Sequence, residues 1–274
     1  MTGNVEIISI GNELLIGKTI NTNAQWLAKR LTILGLHVRR ITTIGDDIEE
    51  IETVVKEALD RKPDFLITTG GLGPTFDDKT LRGVARALGV QLGLNKEALK
   101  MIQEKYKVYA KEQGMEKIEL TPPRVKMAKL PQSAKPLPNP VGTAPGVQIE
   151  NDKILIAALP GVPSEMQAIF ENSVAPAARE SVGNVTFFET SIGISGLMES
   201  EIAPLIERVM HDNHYVYIKS HPIGAEKTPH LELHLSTTAS DSKTAKSRVS
   251  RAIIQMIDNV QAKGGKTARI KTKK

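Results

Sequence analysis

The alternation of apolar and polar positions changes period repeatedly over the first ninety residues. Val5-Glu6-Ile7-Ile8-Ser9-Ile10 is short, rich in β-branched residues and bounded by Gly11, which predicts a strand. Over residues 21–34 the apolar positions Ala24, Leu27, Ala28, Leu31 and Leu34 recur in steps of three and four. Asn21, Thr22 or Asn23 can cap that pattern and Gly35 can stop it, so a helix is predicted. Residues 36–43 read as a second strand. Asp46 and Asp47 then open a helix with Ile51, Val54, Val55, Ala58 and Leu59 on one face, and residues 64–69 form a third strand ending at Gly70-Gly71. Strand, helix, strand, helix, strand at this spacing predicts an α/β fold, with a parallel sheet between covering helices.

Two further helices are predicted over residues 79–88 and 95–113. The stretch 121–146 holds Pro122, Pro123, Pro131, Pro136, Pro138, Pro140 and Pro145, a density that forbids a long helix and favours an extended loop with short strands. Residues 154–159 are a buried strand, turned by Pro160-Gly161 into a helix beginning near Pro163. After about Ser173 the pattern becomes that of a smaller α/β unit, with strands at 187–194 and 231–237 and helices at 199–210 and 243–260. The expected organisation is a first domain over 1–172, a second over 173–262 and a basic tail over 263–274.

Composition narrows the class. With 274 residues, 40% hydrophobic and 24% charged, the chain is globular, and with no cysteine it has no disulfide, thiolate metal site or thiol nucleophile. No apolar run approaches the roughly 20 residues of a membrane-spanning helix, and the first residues lack the charged and apolar regions of a signal peptide. A cytoplasmic protein without a membrane partner is expected. The net charge of +5 suggests nucleic acid until its location is considered. Six basic residues (Lys263, Lys266, Arg269, Lys271, Lys273, Lys274) and no acid lie in the last twelve positions, and the rest carries −1. The expectation is a frayed, solvated tail rather than a nucleic-acid surface.

Chemistry is sought where strands end, because open α/β sheets bind ligands outside the carboxyl ends of their strands. Gly11-Asn12-Glu13-Leu14-Leu15-Ile16-Gly17-Lys18-Thr19 nearly spells a P-loop. Its opening glycine stands one position early, and Glu13 would repel the phosphates such a loop holds. The P-loop reading is rejected. Glu13 is then either an exposed acid at a helix start or a ligand for a divalent metal. In Thr68-Thr69-Gly70-Gly71-Leu72-Gly73-Pro74-Thr75-Phe76-Asp77-Asp78-Lys79-Thr80, three glycines let the backbone approach a ligand. Asp77 and Asp78 serve either as helix caps or as ligands of a hard, Mg²⁺-type ion bridging to phosphate. Asn139-Pro140-Val141-Gly142-Thr143-Ala144-Pro145-Gly146 and Leu159-Pro160-Gly161-Val162-Pro163-Ser164-Glu165-Met166 are two further turns, each weak alone.

Taken in order, these four segments resemble the amino-terminal domain of the CinA family, within the molybdopterin-binding MoaB/Mog superfamily. The smaller unit resembles the KH-like domain that follows it in that family. Many members continue into a nicotinamide-mononucleotide deamidase domain, whose activity is not carried over here. Lys18 and Phe76 depart from the commoner family residues.

The resemblance implies a three-layer MoaB/Mog-like domain, a KH-like domain and a phosphorylated ligand. The first expectation is a metal-dependent hydrolase that splits ADP-ribose, a nucleotide diphosphate, into AMP and ribose 5-phosphate. Gly70, Gly71 and Gly73 would cradle the diphosphate. Asp78, Glu13 and Asp77 would act in catalysis, with Asp78 and Glu13 holding a divalent ion of Mg, Mn or Co type. Asn21, Asn23, Asn139 and Thr143 would orient the nucleotide, with Thr75, Thr80, Gly142, Pro160 and Gly161 completing the site. The alternative is a molybdopterin-binding protein without hydrolysis. A third class is an interaction or RNA-binding protein, since Gly193-Ile194-Ser195-Gly196 superficially matches the nucleic-acid loop of KH domains. No basic residue lies in it, so a structural or oligomerisation role outweighs nucleic-acid contact, and a homo-oligomer is expected.

Overall fold

The structure, a computed structural model, describes residues 3–115, 118–183, 185–223 and 230–270. Lys271, Lys273 and Lys274 of the expected basic tail lie outside the described residues. The chain divides into one unit of Met1–Thr32 with Leu36–Val182 and a second of Ile33–Gly35 with Gly183–Lys274.

The first unit runs β1 (Asn4–Ile10), α1 (Asn12–Leu15), α2 (Thr22–Ile33), β2 (His37–Ile44), α3 (Ile48–Asp60), β3 (Phe65–Thr69), α4 (Thr80–Ala87), β4 (Leu92–Leu94) and α5 (Lys96–Glu112). It continues through α6 (Pro122–Lys126), β5 (Lys129–Pro131), β6 (Lys135–Leu137), β7 (Gly146–Asn151), β8 (Ile154–Leu159), α7 (Pro163–Ile169), a π-helical turn at Phe170–Val174 and α8 (Ala175–Val182). Six strands form one sheet in the order β2-β1-β3-β8-β7-β6. The first four are parallel, as the β/α alternation predicts, while β7 runs against both β8 and β6. A hairpin explains the reversal: β7 and β8 pair up to Asn151 opposite Ile154, and Asp152 takes φ +53°, a conformation its short polar side chain tolerates.

Both sheet faces are covered, and β3 is buried throughout. Ile8, Ile10, Leu66, Ile156 and Ala158 join a core with Ile51 and Val55 of α3, Val84 of α4 and Ile102 of α5. Alternate strand positions Ile7, Ile67, Ala157 and Leu159 point the other way and are buried, as are Ala24, Leu27 and Leu31 of α2 and Met166 and Ile169 of α7. Glu6 intrudes on this apolar scheme at 4% exposure. Its two oxygens accept from Nε and Nη2 of Arg61, both at 2.8 Å, a fork that compensates the buried charge. Helices begin where the capping residues predict: Asp47 accepts from the amides of Glu49 and Glu50, and Asn95 from that of Ala98.

The second unit contains β9 (Thr186–Ser195), α9 (Glu199–Asp212), β10 (Val216–Pro222), β11 (His230–Ala239), α10 (Ser242–Ala262) and β12 (Lys266–Arg269), with sheet order β10-β11-β9-β12. It is a smaller α/β fold with its own core, in which Ile194, Leu233, Val209 and Met256 meet. Gly193, Ile194 and Ser195 belong to β9, the strand expected over 187–194, and Gly193 pairs with Glu232 on one side and Ala268 on the other. The β-branched run before it extends the strand, and only Gly196, at φ +87°, breaks out of it. The stretch read as frayed tail also contains a strand, because Lys266–Arg269 supplies backbone partners to the open edge of β9. β10 has no counterpart in the expected elements, although its buried Val216 and Ile218 alternate with exposed Tyr217 and Lys219.

Candidate functional site

Strands β1, β3 and β8 end side by side, with Ser9 beside Thr69 and Thr69 beside Leu159. Their loops leave from one edge of the sheet and enclose a cavity of about 360 Å³. Glu13, Gly70, Gly71, Gly73, Thr75, Asp77, Asp78, Thr143, Pro160 and Gly161 line it, together with Asp46, Met127, Val162 and Glu165. A larger hollow of about 740 Å³ lies beside α5, against Gln103, Tyr106, Lys107 and Met115, and gathers none of the glycine loops. Size alone does not choose between them. The convergence of strand ends does.

The glycines have local reasons of their own. Gly70 sits at φ +102°, and a Cβ there would stand 2.1 Å from the carbonyl oxygen of Ile10. Gly71 sits at φ +66°, and its Cβ would meet Thr80 Oγ1 at 2.2 Å. Both residues are thus required by the turn before any ligand is considered. Thr80 is fully buried and donates its hydroxyl to the Gly70 carbonyl at 2.8 Å, while its amide donates to the Gly71 carbonyl at 3.3 Å. It clamps the loop from behind and does not line the cavity.

Asp78 closes the following turn. Its carboxylate accepts from the Thr75 amide at 2.7 Å and from the Thr75 hydroxyl, and its own amide donates to the Thr75 carbonyl at 3.2 Å. The ammonium of Lys126 donates to that same carbonyl. Desolvation lowers the Lys126 pKa, and the neighbouring charges of Asp78 and Asp77 oppose the shift. Hydrogen bonding from Thr75, then the backbone amide of Asp77 itself and the cations Lys126 and Lys79, hold the Asp77 carboxyl below the usual carboxylate range.

The asparagines predicted to orient a nucleotide hydrogen-bond to neighbouring protein groups. Asn139 is buried; its Nδ2 donates to the Ala144 carbonyl and to Glu165, and its Oδ1 accepts from the amides of Val141 and Gly142. Gly142 lies against Glu165, whose carboxylate fills the space a Cβ would need, so neither Asn139 nor Gly142 faces the cavity. Asn21 accepts from the Ala24 amide and from Ser9 and donates to Thr43, which ties the start of α2 to β1 and β2. Asn23 donates to the Gly161 carbonyl at 2.7 Å, and its Oδ1 is buried without a partner.

The sequence reading did not single out Lys126, Asp46 and Glu165. Lys126 lies in the proline-rich stretch, where no periodicity marked it. Asp46 is one of two adjacent acids at a strand end, the same signal that drew attention to Asp77 and Asp78. It accepts from the Asn12 amide at 2.8 Å, while Asn12 Oδ1 accepts in return from the Asp46 amide. That exchange holds α1, and with it Glu13, at the cavity. Among the described residues no group of three or more acids or histidines is gathered closely enough to hold a metal unaided. No helix among them is long and apolar enough to cross a membrane.

Residues 6–180 match the family described as "Probable molybdopterin binding domain". Protein PAE0875 of Pyrobaculum aerophilum is 46% identical over 275 residues, covering 99% of this chain and 100% of its own. A protein of Sulfolobus acidocaldarius is 46% identical over 260 residues, covering 94% of each. Among solved structures, the protein CinA with unknown function from Thermoplasma acidophilum superposes with a TM-score of 0.57 at 42% identity, covering 63% of this chain and 98% of that one.

Proposed function

This chain belongs to the molybdopterin-binding domain family, and on that premise we propose that the cavity at the ends of β1, β3 and β8 binds a phosphorylated small molecule of the molybdopterin class. One observation carries the reading: the loop of Gly70, Gly71 and Gly73 opens onto a cavity built entirely from residues inside the family match. Backbone at such a strand end offers amides to an anion. The 42% identity to a CinA structure supports placing the chain in that branch.

Charge sets a condition on binding. Five carboxylates (Glu13, Asp46, Asp77, Asp78 and Glu165) line the cavity. A phosphate there would be repelled unless a cation came with it. A magnesium-type ion needs only one or two carboxylates when phosphate oxygens and water complete its shell. Asp78 and Glu13 suit that role, and the lack of a three-acid cluster among the described residues fits an ion that arrives with its ligand. Such an ion would neutralise the phosphate and polarise it.

A second reading, hydrolysis of ADP-ribose to AMP and ribose 5-phosphate, is what the resemblance to the CinA family implies, and the lining carboxylates would serve its metal. Titration calorimetry with ADP-ribose and with a pterin diphosphate, each with Mg²⁺, Mn²⁺ or Co²⁺ and with chelator, tests both. Binding that needs the divalent ion is expected. Release of AMP would add the hydrolytic step, and an absence of binding to either compound with every metal would overturn the proposal.

A further inference from the structure

Four of the five cavity carboxylates come from the segments after β1, β2 and β3, and Glu165 comes instead from the first turn of α7. Its position is fixed from behind. Asn139, only 5% exposed, donates to Glu165 Oε2 at 2.6 Å. The same amide group donates to the Ala144 carbonyl, and Asn139 Oδ1 accepts from the amides of Val141 and Gly142. With every polar group of Asn139 engaged, its side chain cannot turn, and Oε2 is held at one spot. Gly142 leaves the space that the carboxylate fills, since a Cβ there would collide with it. Among the described residues Glu165 Oε1 accepts no hydrogen bond, and no Lys, Arg or His lines the cavity with it. A buried asparagine and a glycine thus hold a carboxylate whose remaining acceptor capacity is left to the cavity.

A carboxylate only accepts, and its two oxygens match two donors set side by side. A bare phosphate offers it no such pair. Adenine sets an acceptor nitrogen next to its amino group, so one of the two contacts would oppose lone pair to lone pair. Pterin and guanine each place a ring N–H beside an NH₂ on an amino-pyrimidinone edge. We propose that Glu165 reads this donor pair, so that the site takes phosphorylated heterocycles with an amino-pyrimidinone edge over adenine. The proposal rests on the reading of the cavity as a phosphate site, with the glycine loop holding the other end of the same molecule. It favours a ligand of the molybdopterin class over ADP-ribose, whose base is adenine. A site built to pair such donors rejects a ring that lacks them, because its own polar group is then left desolvated and unpaired.

The test titrates wild type, Glu165→Gln and Gly142→Ala calorimetrically with GDP, ADP, 6-hydroxymethylpterin diphosphate and inorganic pyrophosphate, all with Mg²⁺. GDP and ADP differ in the base alone. Wild type should bind GDP or the pterin diphosphate about ten-fold or more tighter than ADP, and the tighter of the two tells guanine from pterin. In Glu165→Gln the Asn139 donor keeps the oxygen of the new amide, which turns its NH₂ toward the donors of the ring. The preference over ADP should then vanish, with the Kd for pyrophosphate moved less than about two-fold. Gly142→Ala pushes the carboxylate aside without removing its charge and should weaken the same ligands. A wild type that binds GDP, ADP and the pterin diphosphate equally would overturn the recognition and leave the phosphate site standing. So would a preference that survives in Glu165→Gln. A loss of pyrophosphate affinity in Glu165→Gln as large as that for GDP would overturn it in favour of Glu165 as a ligand of the ion. The wild-type ratio of GDP to ADP affinity decides the proposal even where a variant does not fold. A wild type that binds none of the four would remove the phosphate site and the recognition together.

Discussion

Gly70 shows how far packing alone constrains the site. A methyl group there needs both a positive φ and room that the Ile10 carbonyl occupies at 2.1 Å. Gly70→Ala is expected to lose roughly 2–5 kcal/mol of stability, from backbone strain and overpacking together. Urea denaturation would measure it, and a loss under about 1 kcal/mol would mean that the turn relaxes freely. Thr80→Val is the companion case. It keeps the shape but leaves the buried Gly70 carbonyl without its hydroxyl donor, at a cost of about 1–3 kcal/mol. Its ligand affinity should fall less than that of Asp78→Ala, because Thr80 acts through the loop and Asp78 faces the cavity. Calorimetric affinities of the two variants, ranked against each other, check that order.

Between elements, one ion pair fastens α2 to the π-helical turn. The Arg30 guanidinium forks onto Glu171, with Nη2 to Oε2 at 2.8 Å. Arg30 lowers the Glu171 pKa from its ordinary 4.5 by hydrogen bonding first and by charge second. An unfolded carboxyl binds its proton more readily than this folded one. The pair's stabilisation is therefore complete above about pH 4.5 and is lost as the pH falls through the lowered folded value. Both side chains are partly exposed, so the effect is about 0.5–1 kcal/mol. Glu171→Gln should be less stable than wild type at pH 7 by that amount, and the gap should close as the pH falls through the lowered folded value. Thermal melts of the two proteins across that range would show whether the curves converge.

For the molecule as a whole, β12 changes what the end of the chain means. It covers β9 from Ile192 to Ser195, and Gly265 just before it packs on Leu197 and Val260. Truncation after Gly265 should cost the second unit roughly 1–3 kcal/mol in lost ladder bonds and promote self-association through the opened edge. Urea unfolding and sedimentation would register both effects. A truncated protein of unchanged stability would restore the view of this stretch as a solvated tail.

The order of strands and helices in the first unit was legible in the sequence, because buried parallel strands and amphipathic helices leave distinct periods: Ile7 and Ile8 on β1, Ile51 and Val55 on α3. The glycine loop and its paired acids were legible too, since three glycines and two adjacent acids after a buried strand mark a turn of unusual backbone freedom and charge. Tertiary structure alone decided which of those residues face the cavity. Asn139, Asn21 and Thr80 carry the same hydrogen-bonding groups as a ligand-binding residue, and only their partners, 2 to 26 positions away along the chain, reveal that those groups are already engaged. Lys126 reached the site from 51 positions away. β12 could not be foreseen from Lys266–Arg269, because a short edge strand takes its conformation from the strand it completes. Local pattern fixes the buried strands and the amphipathic helices; a neighbouring strand decides a short edge strand such as β12, and hydrogen-bond partners distant in sequence decide what each polar side chain is free to do.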